Sequence, residues 1–205
     1  MSGRTLLAGN VMWMAWNTML AVAPLLLACI LFRGPERRRW RRPTWWIGVS
    51  AFIALLPNAP YVITDVVHLP KDTAATPSEA AELALLLEYT AFIAVGFGAY
   101  VVALSLASRF VERGGWHHRL VVVAQLAVHL LAAVGVYLGR VPGWNSWDLL
   151  TRPEAVLADM WAALHRPAVG AGVVLMFLVL TIGAATGMAL LDDVAARRRR
   201  APVAW

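Results

Sequence analysis

The chain has 205 residues, of which 60% are hydrophobic and only 15% charged, and its mean hydropathy is +0.64. An ordinary soluble domain carries about 25% charged residues, so this composition excludes one. The formal charge of +6 does not indicate nucleic acid, because the basic residues fall in short runs between apolar segments, where membrane topology accounts for them. What remains is a single transmembrane domain over residues 1–205, an all-α integral membrane helical bundle of about five spans with the lipid bilayer as its first partner. The lone cysteine, Cys29, excludes an intramolecular disulfide and reads as core packing.

The first span is expected over residues 11–32, with Trp13 and Trp16 at the depth of an interfacial aromatic belt. Asn17 within it reads as an interhelical hydrogen-bond partner. A loop with six arginines follows at 33–42. The second span is expected over 45–68 and is expected to break. Its apolar run 45–56 covers roughly 18 Å at about 1.5 Å per residue, short of a hydrocarbon core about 30 Å thick. Asn58 and Tyr61 therefore still lie at membrane depth, and Pro57 and Pro60 each disfavour helical backbone in the residue before them. A chain interrupted there must be covered by protein or line a wet cavity, as a kinked span or a re-entrant hairpin. In that setting the Asn58 amide is expected to support the stranded carbonyls.

The third span is expected over 83–107, the fourth over 120–139 and the fifth over 168–191. Between the last two, Thr151-Arg152-Pro153-Glu154 has capping-box spacing. Val156, Leu157, Met160, Trp161 and Leu164 then recur at helical spacing, which predicts an interfacial amphipathic helix over 152–165. Placing segments 33–42, 109–119 and 197–200 on one side of the membrane gathers thirteen basic residues there against five on the other. The positive-inside rule then puts the C-terminus in the cytoplasm, the N-terminus outside and both polar motifs facing outward from the cell membrane.

Ionisable residues at membrane depth are costly, which makes them site candidates. Asp65 and His68 stand three residues apart and share a face if the helix resumes after Pro60. Glu88 follows a run of apolar residues and is expected about 8 Å inside the outer boundary, protonated by burial or paired with Arg140. Asp65, His68 and Glu88 are the candidate catalytic groups; Asn58, Tyr61, Arg140, Asn145 and Asp148 are the candidate ligand-binding groups. Arg140 ends the fourth span at the face reached by Asp65, and so is expected within salt-bridge reach of Asp65, Glu88 or Asp148. His129 reads as a hydrogen-bonded core residue on the helix face shared with Gln125 and Arg140. Asp65 and His68 are also the only metal-ligand candidates, with Glu88 or Asp148 needed to complete a set. Asp148 with Asn145 and Ser146 can equally close a turn. The sequence names no cofactor.

Two blocks, residues 56–69 and Tyr137-Leu138-Gly139-Arg140 with Trp144-Asn145-Ser146-Trp147-Asp148, resemble the signature blocks of a bacterial multi-pass membrane protein family, domain of unknown function 1361. The resemblance covers roughly residues 20 to 190. It implies a small multi-pass membrane protein and carries no activity with it.

Three functional classes fit. The first is an outward-facing polar site that binds or processes an anionic lipid or envelope precursor, with a metal-activated water as one route. No nucleophile with a paired base supports covalent catalysis. The second is a small permease, favoured by the interrupted helix and opposed by the lack of an internal repeat. The third is a structural or assembly partner of another membrane protein.

Overall fold

The computed structural model describes residues 3–34, 42–76 and 78–200, without the side chains of residues 3–11 and of Leu164. Most of the six-arginine loop, residues 35–41, therefore lies outside the described residues. The described chain is helical throughout its ordered elements: α1 Gly3–Phe32, α2 Pro43–Leu55, α3 Asn58–Tyr61, a 3-10 helix η1 Val62–His68, α4 Leu69–Ala74, α5 Glu79–Arg113, α6 His118–Arg140, α7 Asp148–Thr151, α8 Pro153–Leu164 and α9 Pro167–Arg200. It forms an all-α membrane bundle, in which five segments are long and apolar enough to cross a bilayer: Met12–Phe32, Pro43–Ala74, Glu79–Arg113, His118–Arg140 and Pro167–Arg200.

The expected break in the second span takes its milder form: α2 ends at Leu55 and α3 begins at Asn58, with helical backbone carried between them. Leu56 before Pro57 keeps φ −56° and ψ −36°, and Pro57, Tyr61, Val62 and Leu69 all hold right-handed helical backbone. There is no reversal of direction, so the segment is an irregular span and not a re-entrant hairpin. The prolines are absorbed by a change of helix type. Pro60 cannot donate to the Leu56 carbonyl, and the Ala59 N–H takes that acceptor at 3.2 Å in the tighter i→i−3 pattern. Tyr61 N–H then bonds Pro57 O at 3.1 Å, and the chain stays tight as 3-10 helix to His68.

Close approach of neighbouring helices holds this irregular stretch in place. Pro57 and Tyr61, four apart, face Gly135 and Gly139 of α6, also four apart: a Cβ built at Gly135 would stand 2.7 Å from Pro57 Cγ, and one at Gly139 3.2 Å from Tyr61 Cε2. On its other side, a Cβ at Gly96 of α5 would stand 2.9 Å from the Ala59 carbonyl oxygen. Small residues let backbones approach in this way where lipid offers no hydrophobic drive between helices. Helix α1 packs along α5 on the same plan, burying Ala21, Pro24 and Ala28 on a face of helical period.

At the other end of the bundle an aromatic cluster joins α1, α2 and α5. Phe32 meets Phe52 edge-on at 5.2 Å, and Trp45 stacks on Phe110 at 5.7 Å. Trp45 Nε1 donates to Leu31 O at 3.3 Å and Arg113 to Phe32 O at 3.0 Å, so α1 ends, α2 begins and α5 ends on one side.

The capping box is not formed. Thr151 ends α7, its hydroxyl donating to Trp147 O, and α8 starts at Pro153 with no side-chain cap. Proline at the first helical position makes the cap unnecessary, since its missing N–H is one of the groups a cap would serve. In α8, Val156 is buried while Leu157 and Trp161 are exposed.

Candidate functional site

A cavity of about 210 Å³ lies where α1, α3, α6 and the loop after α6 meet. Asn17 of α1, Asn58 and Tyr61 of α3, and Asn145 and Ser146 of the loop supply its polar wall. Trp16, Leu20, Ala54, Leu138, Leu149 and Val156 supply an apolar one. Trp16 lines the cavity while 56% exposed, so that wall is continuous with the outer surface of the bundle. The Gly135 and Gly139 positions line it as well, because side chains there would fill the space that Pro57 and Tyr61 take.

Tyr61 is fixed from behind by Arg140. The guanidinium donates to the Tyr61 hydroxyl at 3.3 Å, lies 5.2 Å from the ring centroid, and donates to Asp65 Oδ1 at 3.0 Å and to the Thr64 carbonyl. The Thr64 hydroxyl in turn donates to the Tyr61 carbonyl at 2.6 Å. One arginine thus serves a carbonyl and the carboxylate of the tightened η1 helix, in a place where lipid could not. Asp65 is 2% exposed, and its other oxygen, Oδ2, has no hydrogen-bond partner among the described residues.

The loop after α6 is stitched by its own side chains. Asp148 accepts from the Asn145 N–H at 2.8 Å and from Arg152 at 2.6 Å. The Asn145 N–H and then Arg152 hold the Asp148 carboxyl below the ordinary carboxylate range. Trp144 Nε1 donates to Asp159 at 2.8 Å, and the Arg152 guanidinium covers the Trp144 ring at 4.9 Å. Asp148 is therefore a buried turn-former that presents Asn145 and Ser146 to the cavity.

Of the residues singled out from sequence, Asn58, Tyr61 and Asn145 line the cavity, and Arg140 and Asp65 form the pair beside it. The expected meeting of Arg140 with a carboxylate occurs at Asp65, not at Glu88 or Asp148. Asn58 does not serve stranded carbonyls. Its amide donates to Ser146 Oγ at 3.4 Å, because the 3-10 pattern already uses the carbonyl that Pro60 strands. Among the described residues Glu88 makes no ion pair, and its Oε2 is buried without a hydrogen-bond partner. It lies on α5 beside Tyr89, whose hydroxyl donates to Asp72 at 2.8 Å. His68, the last residue of η1, is exposed at the edge of the Trp13 ring, 5.9 Å away. Among the described residues no three His, Cys, Asp or Glu side chains gather as metal ligands, so Asp65 and His68 lack a completing partner. His129 is the hydrogen-bonded core residue expected, 2.7 Å from the Tyr100 hydroxyl.

Two contributors went unrecognised in the sequence. Asn17 is half-buried on the cavity wall, and its amide makes no hydrogen bond to any described residue, in place of the interhelical bond expected. Gly135 and Gly139 shape the cavity, and their four-residue spacing was the available signal.

No curated protein and no solved structure matches the chain. A family model described as protein of unknown function (DUF1361) matches residues 16–182, over which both motif blocks and three of the five spans are complete. The chain belongs to the DUF1361 family.

Proposed function

We propose that the protein binds a small amphiphile, with a hydrogen-bonding headgroup seated among Asn17, Asn58, Tyr61, Asn145 and Ser146. The observation that carries this is the Asn17 amide, a donor and acceptor at membrane depth that lines the cavity without a partner among the described residues. Such a group is costly against lipid and gains most from a ligand or water. The mixed lining supports a molecule with both a polar head and an apolar part, the usual pattern of ligand sites. The head is uncharged: the described cations beside the cavity are committed, Arg140 to Asp65, Thr64 and Tyr61, and Arg152 to Asp148 and the Trp144 ring. An anionic headgroup would have to displace one of these. Thirteen basic residues on the opposite side support an outward-facing cavity in the cell membrane, with the N-terminus out and the C-terminus in the cytoplasm.

Lipid extracts of purified protein test the proposal. Wild type should retain an amphiphile enriched over bulk membrane lipid, and Asn17→Leu should release it while remaining folded. Equal retention by the two proteins, or bulk lipid in both, would overturn it.

A further inference from the structure

A second cavity, of about 250 Å³, lies at the opposite end of the bundle and is almost wholly apolar. Trp45, Trp46 and Phe52 of α2 form one wall, Leu104 and Phe110 of α5 the floor, and Val121, Ala124 and Val128 of α6 the other wall. Helix α2 packs on α1, so its wall and that of α6 stand apart. Trp46, Ile53 and Ala124 line the cavity and are also exposed, which leaves it open sideways as a groove. An apolar cavity of about 150 Å³ takes up a benzene ring. This groove therefore accepts a length of hydrocarbon chain, whereas a helix, about 10 Å across, is too wide.

One end of the groove is cationic. Arg42 immediately precedes α2, one turn before Trp45, and Arg119 lies in the first turn of α6, two residues before Val121. Both arginines are exposed, and neither side chain is engaged by a described residue. Helices α2 and α6 also both begin here, and their N-terminal N–H groups favour an anion.

We propose that this groove binds one anionic phospholipid of the adjoining leaflet, its acyl chain between α2 and α6 and its phosphate on Arg42 and Arg119. The site lies at the other end of the bundle from the polar cavity and stands independently of any ligand there.

Native mass spectrometry of the purified full chain, titrated with phosphatidylglycerol and with phosphatidylcholine of identical chains, tests it. Phosphatidylglycerol should bind more tightly, by about fivefold for each arginine engaged. Arg42→Gln with Arg119→Gln should remove that preference and leave phosphatidylcholine binding unchanged. Ala124→Phe, at an exposed position that tolerates a larger side chain, should weaken both lipids by filling the groove. Equal affinity for the two lipids in wild type would overturn the proposal. So would a preference that survives loss of both arginines, or indifference to Ala124→Phe in a variant whose thermal unfolding matches wild type.

Discussion

Replacing Gly135 by alanine places a methyl group against the least yielding part of the second span. The new Cβ would stand 2.7 Å from Pro57 Cγ and 2.8 Å from its Cβ, where carbon atoms prefer about 3.5–4.0 Å. Pro57 is tied to its own backbone and cannot rotate away, so α6 and α3 must separate by roughly 1 Å to restore that spacing. Overpacking of this kind costs about 1–3 kcal/mol, and the better helix propensity of alanine returns only about 0.5–1 kcal/mol. The expected result is a net loss of about 0–2.5 kcal/mol, centred near 1 kcal/mol. Gly98 of α5 is the matched control, because a Cβ there meets nothing within 4 Å. Gly98→Ala should be neutral or slightly stabilising. Reversible unfolding in mixed micelles, read by far-ultraviolet circular dichroism, compares the two. If Gly135→Ala unfolds no earlier than Gly98→Ala, the close approach of α6 to Pro57 does not hold this span in place.

Three other outcomes follow from the same geometry. Arg140→Gln should lose about 3–5 kcal/mol by stranding the buried Asp65 carboxylate, and adding Asp65→Asn should recover most of it; thermal unfolding of both variants checks this. The folded-state pKa of Asp148 lies below its unfolded value of about 3.9. Its contribution is therefore complete above that pH and is lost as pH falls through the lower folded value, so protease cleavage after Arg140 should rise in acid for wild type and show a weaker pH dependence in Asp148→Asn. Reporter domains test the proposed orientation: one fused after Arg200 should read cytoplasm, and one inserted between Lys71 and Glu79 should read the outer side.

The bundle was legible because each span has high mean hydropathy over an 18-residue window, a signal that survives without knowledge of neighbours. The two polar blocks were legible for a similar reason, since amides, hydroxyls and charges at membrane depth need an explanation wherever they occur. Which of those groups meet was only half legible. Arg140 ends its span at the level of Asp65, and counting along the helix brings them to one end of the bundle. Counting did not show that Glu88 stays out of the ion pair with Arg140, or that His68 stays at the surface, because these depend on how α5 and η1 are rotated against their neighbours. Local rules misjudged Pro57 and Pro60. They describe a proline in a regular α-helix, whereas here the ladder shifts to i→i−3 bonds, and Gly96, Gly135 and Gly139 admit the altered backbone. Asn17 was read as a helix-to-helix bond, since nothing in a sequence indicates that the space opposite an amide is empty.

The most direct measurement places a photo-crosslinking amino acid at position 17 in living cells, with position 98 as a lipid-facing control, and weighs the adducts by mass spectrometry. A ligand seated in the polar cavity should give one dominant adduct at position 17, of an amphiphile with an uncharged polar head, that is absent at position 98. The same mixture of bulk membrane lipids at both positions would contradict the existence of a ligand site at Asn17.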